Sequence, residues 1–158
     1  MSRLESMMRR LAAQKTGLEW CVEQIKSITG DFVEIGLGNG RSYDHLREIA
    51  PDKKIWVLDR ILQCHPSCVP PKDSFLQGEA NEVMTQMKSD NIGISLAHYD
   101  FGIGVKDKDE AEAAALSPLI KDIMVKDGLL MSCQPLVGFT QIEGPAEIPT
   151  GRYYFYKA

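Results

Sequence analysis

Apolar positions at the start of the chain recur with a helical period. Leu4, Met7, Met8 and Leu11 share one face while Arg3, Arg9 and Arg10 are left for solvent, which predicts a helix over 3–15. Gly17 interrupts the pattern. Leu18, Cys21, Val22, Ile25 and Ile28 then predict a second helix over 18–28, stopped by Gly30 and Asp31. From there the rhythm changes. Phe32–Ile35 is a short apolar run of the kind that forms a buried strand. A helix over 41–49 turns Tyr43, Leu46 and Ile49 inward and ends before Pro51. Lys54–Leu58 is a second strand with Asp59 at its tip. Residues 60–72 hold three prolines and two cysteines and read as irregular. Ser74–Gln77 is a brief third strand, Glu79–Lys88 a helix with Val83 and Met87 inward, and Asn91–Ala97 a fourth strand that delivers His98, Tyr99 and Asp100. Residues 107–125 are mostly helical, with acids near the start where the helix dipole favours them. Pro118 there predicts a new helix capped by Ser117. Leu129–Gln134 is a fifth strand, and Leu136–Glu143 and Arg152–Lys157 form an antiparallel pair.

Strands alternating with helices at this spacing predict an α/β fold with a doubly wound, mostly parallel sheet, an antiparallel C-terminal strand and helices in front. Ligands of such sheets bind beyond the carboxyl ends of the strands. The glycine turn after the first strand, Asp59, Glu79 and the trio at 98–100 all follow strands, so they converge on one edge. Composition adds limits. With 158 residues, 44 % hydrophobic, the chain suits one domain with a core: helices over 1–30 and an α/β unit over 31–158. A net charge of −4 argues against a nucleic-acid footprint, and Arg9 and Arg10 are too few to make a local one. Small substrates fit better. Cysteines at 21, 64, 68 and 133 are too sparse for a disulfide framework. With no signal peptide and no stretch of membrane-spanning length, a soluble cytoplasmic protein is expected.

The chemistry concentrates in "FVEIGLGNGRSYDHL", residues 32–46. Gly36, Gly38 and Gly40 let the backbone turn sharply beside a ligand, and the helix behind them offers free amides to an anion. Asp59, at the end of the next strand, can accept two hydrogen bonds from a ribose diol. Together these describe a nucleoside-containing cofactor. The dinucleotide fingerprint G-x-G-x-x-G fails in both frames, because its last position falls on Arg41 or Tyr43, and no Gly-Lys-Ser/Thr follows for a phosphate loop.

The turn resembles the first motif of the Rossmann-like methyltransferases that use S-adenosyl-L-methionine. Their acid-x-G-x-G-x-G is matched throughout by "EIGLGNG", Glu34 to Gly40. Asp59 in "IWVLDR", "GEA" at 78–80 and "AHYDFG" at 97–102 resemble the family's later motifs. The likeness covers residues 31–158 and points to a small bacterial group of about this length. It implies a Rossmann-like fold, methyl transfer from S-adenosyl-L-methionine to a small-molecule acceptor, and a set of cofactor contacts. These are Glu34, Gly36, Leu37, Gly38 and Gly40 in the turn, Asp59 and Arg60 after the second strand, Glu79 and Ala80 after the third, and His98 after the fourth. His98, Asp100 and Tyr99 become the candidate catalytic groups. Two departures stand out: there is little room for a helix between the fifth strand and the final hairpin, and substrate-covering insertions are missing. One sheet face would then depend on the N-terminal helices or on another subunit.

Each residue also has a plainer reading. Glu34 either faces the methionine amino group or bonds turn amides. Glu79 can simply favour a helix start. Asp100 can hold the cofactor's amino group and His98 can be a satisfied core residue, while strand alternation sets Tyr99 opposite its neighbours. "CHPSC", Cys64 to Cys68, has metal-ligand types but no second pair, and structural zinc usually takes four ligands, so it reads as an irregular segment near the adenine side. Met7 and Met8 read as packing, or as part of a homodimer or higher homo-oligomer contact. A non-catalytic binding module on the same fold is the alternative function; fold alone does not separate the two.

Overall fold

The computed structural model describes all residues, 1–158. Its elements are α1 (Arg3–Gln24), β1 (Asp31–Ile35), α2 (Arg41–Ile49), β2 (Ile55–Asp59), β3 (Phe75–Gln77), α3 (Ala80–Ser89), β4 (Ile94–Tyr99), α4 (Lys106–Ile123), β5 (Met124–Ser132), β6 (Thr140–Ile142) and β7 (Tyr154–Lys157), with a single 3-10 turn at Pro66–Cys68. One seven-stranded sheet has the order β3-β2-β1-β4-β5-β7-β6. The first five strands in that order are parallel; β7 runs antiparallel to both β5 and β6. This is a Rossmann-like, doubly wound α/β fold. No helix is long and apolar enough to cross a membrane.

Alternation along each strand divides the core in two. Phe32, Val57, Leu96, Met131 and Phe155 face one way and pack with Leu18 and Cys21 of α1, Ile25 just beyond it, and Leu46 of α2. Val33, Leu58, Ala97, Leu130 and Tyr156 face the other way and meet Met84 and Met87 of α3 and Ile120 of α4. The order of the strands reverses between β1 and β4, and the loops beyond those two strand ends form the crevice in which such sheets take ligands.

Several boundaries differ from the sequence expectation; β6, expected over Leu136–Glu143, spans only Thr140–Ile142, and β4 runs to Tyr99 rather than ending at Ala97. The two N-terminal helices are one. α1 runs unbroken through Gly17, opens on a capping box between Ser2 and Glu5, and stops at Gln24. Gly17 is a packing residue rather than a breaker. A Cβ there would stand 2.7 Å from Met131 Cε and 3.1 Å from Phe155 Cζ, so its absence lets α1 lie close on the sheet. α4 likewise continues through Pro118. Pro118 is exposed, so the helix bond it cannot make lies on the wet side. Ser117 is no cap: its hydroxyl donates to the Ala113 carbonyl at 2.8 Å and accepts from the Val137 amide at 3.0 Å. β5 begins at Met124, five residues early, because an irregularity at Asp127, with φ of 64°, lets the strand pair on either side of it.

Replacing Gly17 by Val should destabilise the protein by about 1–3 kcal/mol through overpacking against Met131, despite the better helix propensity of Val. Urea denaturation measures this, and an unchanged midpoint would refute the close-approach role.

Candidate active site

Glu34 and His98 are neighbours across the β1–β4 pair, and both side chains point to the α1/α2 face. Neither is exposed to any degree (0 %). The Glu34 carboxylate accepts from the Ser42 hydroxyl, at the start of α2, and from His98 Nδ1 at 2.9 Å. Burial disfavours a charged imidazole, but the Glu34 charge and hydrogen bond outweigh it and hold the His98 pKa above its ordinary value. Glu34 therefore makes no bond to the turn amides and does not reach the open cleft. It organises the turn from beneath, through α2.

The turn itself is built from backbone conformations that suit glycine. Gly36 has φ of 92°, and a Cβ there would lie 2.5 Å from Phe101 Cβ. Gly40 has φ of 83° and stands where α2 begins. Gly38 has open space around it. Asp59 reaches back to this turn: Oδ2 accepts from the Leu37 amide at 2.8 Å and the Gly38 amide at 3.3 Å, and Oδ1 from the Ile61 amide at 3.2 Å. A carboxylate has about four acceptor sites, so one remains for a ligand hydroxyl. Leu37 is buried in the core and offers only its backbone.

Three cavities run together along this edge. One is lined by Ile35, Leu58, Asp59, Gly78, Ala80 and Phe101, and Arg60, Glu79 and Glu112 border it too. Glu79 makes no side-chain cap bond to α3, so its carboxylate is free. Gly36 carries this cavity into a second, between the glycine turn and Met7, Arg10, Leu11 and Gln14 of α1. Arg10 and Asp100 are shared in turn with a third, of about 450 Å³, lined also by Cys133, Gln134, Arg152 and Tyr153. At the junction the Asp100 carboxylate, 12 % exposed, takes Arg10 Nη2 at 3.2 Å and Gln14 Nε2 at 2.7 Å. The Asp100 charge raises the Arg10 pKa. Burial pushes Tyr153 and Cys133 up to about 12, so both stay protonated near neutrality.

The trio at 98–100 is thus divided. Only Asp100 meets the cleft. His98 is sealed beneath it, and Tyr99 lies buried on the opposite face, stacked at 4.9 Å on Phe101, as the strand pleat requires. Direct chemistry by His98 or Tyr99 does not fit these placements. Sequence reasoning missed Arg10 and Gln14, which belong to an amphipathic helix read as packing, and Tyr153, read as part of a strand. A signal was present for the first two: polar residues one helical turn apart on the face that carries Ala13 and Gly17.

The cradle fits a nucleoside joined to an amino acid, with apolar walls at Leu58, Ala80 and Phe101, a carboxylate beside them, and an arginine–aspartate pair at the far end. The family model described as S-adenosyl-L-methionine methyltransferase matches residues 1–158. The chain belongs to this methyltransferase family. A crystal structure of the S-adenosyl-L-methionine methyl transferase from Silicibacter pomeroyi DSS-3 is 30 % identical with a TM-score of 0.92, over 99 % of this chain and 98 % of that one. Human methyltransferase-like protein 13, solved in complex with SAH, shares the fold at 12 % identity and a TM-score of 0.52, over 97 % and 79 % of the two chains. No curated protein matches the chain at a significant level. The methyltransferase uses S-adenosyl-L-methionine and transfers its methyl group to an acceptor. The cofactor, when bound, supplies a methyl already activated by a positive sulfur, so much of the protein's task is alignment.

The raised His98 pKa has a consequence for stability. A group protonated more readily in the fold stabilises it below its unfolded value, here about 6.5, and that stabilisation is lost as pH rises through the folded value. The urea midpoint of the methyltransferase should therefore fall more than that of His98→Gln as pH rises above about 6.5; parallel profiles would show that the imidazole is not charged in the fold.

Proposed function

We propose that S-adenosyl-L-methionine lies across the ends of β1, β2 and β4, with adenosine in the first cavity and its amino-acid tail in the second. The observation that carries this is the continuity of the cavities, joined at Gly36 and again at Arg10 and Asp100. Asp59 keeps the turn in place and offers its remaining acceptor site to the ribose. Arg60 and Glu79 border the ribose side, and the Ala80 amide, at the free start of α3, faces the adenine edge. Arg10 suits the tail carboxylate and Asp100 its ammonium, the charges of a zwitterion met by opposite ones.

The third cavity takes the acceptor, and its size of about 450 Å³ suits a small molecule. Asp100 borders both this cavity and the tail, and it is the group placed to receive a proton from an N or O nucleophile. Tyr153 lines this cavity beside Arg10, and as a phenol at neutral pH it helps to shape the acceptor's place. α1 flanks this junction through Arg10 and Gln14, where the expected insertions are missing. The four cysteines are all free, which supports a reducing, cytoplasmic setting. Leu4 and Met8 of α1 are 70 % and 62 % exposed, which supports self-association through that helix.

Calorimetric titration tests the cofactor reading: one-to-one binding of S-adenosyl-L-methionine and S-adenosylhomocysteine, and none of NAD. Asp59→Ala and Arg10→Ala should each weaken that binding by about 1.5–3 kcal/mol, the scale of a hydrogen bond to a charged group. Unchanged affinity in either would remove that residue from the site. For self-association, mass in solution should rise above 17.6 kDa with concentration; a monomer throughout a wide range would sink it.

A further inference from the structure

We propose that Cys64 and Cys68 are a modification site, a dithiol that closes to a reversible disulfide and so loosens the cofactor turn. The effect on cofactor binding rests on the reading above; the disulfide itself does not. Cys64 precedes His65, Cys68 ends the 3-10 turn Pro66–Cys68, and both thiols are free. Their side chains crowd the same point. A Cβ on Gly40 would lie 2.5 Å from Cys68 Cβ and 3.1 Å from Cys64 Cβ, so the two Cβ atoms are no farther apart than those distances end to end. A disulfide needs them about 3.5–4.5 Å apart. Both cysteines line an open cavity of about 520 Å³ with Asn39, Arg41 and Ser67, which admits a small oxidant. Cys64 is the more exposed of the two, and Cys68 is buried behind it. The remaining cysteines are placed otherwise: Cys21 is sealed in the core, and Cys133 lines the acceptor cavity.

With a hydroperoxide as oxidant the step balances. The Cys64 thiolate attacks the O–O bond; one oxygen stays on sulfur as a sulfenic acid and the other leaves as water or alcohol after taking a proton. The Cys68 thiolate then attacks the Cys64 sulfur, the S–S bond forms, and the second oxygen leaves as water. Two thiols lose two protons and two electrons, and the peroxide is reduced. An external dithiol reverses the bond by exchange. Transient disulfides of this kind are the usual form in reducing compartments.

The segment is tied to the turn, which is how the change is transmitted. The His65 amide donates to the Asn39 carbonyl at 3.2 Å, between Gly38 and Gly40. Arg47 of α2 holds the Ser67 carbonyl. Closing the disulfide draws Cys64 toward Cys68, carries His65 with it, and shifts Asn39 in the part of the turn that lines the cofactor's tail.

The test uses the full chain treated with hydrogen peroxide and then with dithiothreitol. The tryptic peptide Ile61–Lys72 should lose the mass of two hydrogens, regain it on reduction, and show no such loss in Cys64→Ser or Cys68→Ser. Amide exchange over Gly36–Tyr43 should quicken in the oxidised, cofactor-free protein, and affinity for S-adenosyl-L-methionine should fall about tenfold. Cys64→Ser should keep its affinity under the same treatment. Oxidation of Cys64 to a sulfinic acid without a disulfide overturns the proposal, and so does a disulfide that leaves turn exchange and affinity unchanged. If the reduced protein binds no cofactor while the disulfide forms and quickens turn exchange, the cofactor reading falls and the modification site stands.

Discussion

The site is arranged around a carboxylate withdrawn wholly from water. Burying an ion costs several kcal/mol unless partners replace its hydration. Glu34 meets that demand with the Ser42 hydroxyl and the His98 ring. Those partners belong to different elements, the first turn of α2 and the end of β4. Satisfying one carboxylate therefore locks the start of α2 and the β1–β4 switch point to each other. The glycine turn is strung between two points so fixed. Asp59 holds the same turn from its other side, through the Leu37 and Gly38 amides. Two acids thus shape the glycine turn, one from beneath and one from the flank.

α1 has two tasks in this short chain. Its Ala13, Gly17, Leu18 and Cys21 are buried against the sheet, and Gly17 allows the close approach. The same helix brings Arg10 and Gln14 to Asp100. The helix that completes the core thus also forms a wall of the cleft. No helix stands between β5 and β6, so the third cavity is bounded instead by the loop before β7, through Arg152 and Tyr153. Changes that shift α1 on the sheet will therefore be felt in chemistry as well as in stability.

Much of this was legible in the residues. The order of strands and helices followed from hydrophobic period, and the gathering of acids and glycines at one sheet edge followed from their places behind the strands. "EIGLGNG" with Asp59 was enough to name the cofactor class, because positive φ, close backbone approach and a carboxylate after a strand are demands that few residue types meet. What misled were local rules read without their surroundings. Gly17 looked like a breaker, yet it sits mid-helix because Met131 needs the space. Pro118 looked like a helix start, yet its exposed position lets the helix continue.

The chain by itself thus determined the fold class and the sheet edge at which the acids and glycines gather, because these depend on period, spacing and backbone freedom, all local properties. The tertiary structure alone decided which polar groups face the cleft. His98 and Asp100 are two residues apart and look equivalent in sequence. Pairing with Glu34 sealed one within the core, and the reach of α1, ninety residues earlier in the chain, placed the other beside Arg10. Burial and long-range partnership depend on the packing of distant segments, and no run of neighbouring residues carries that information.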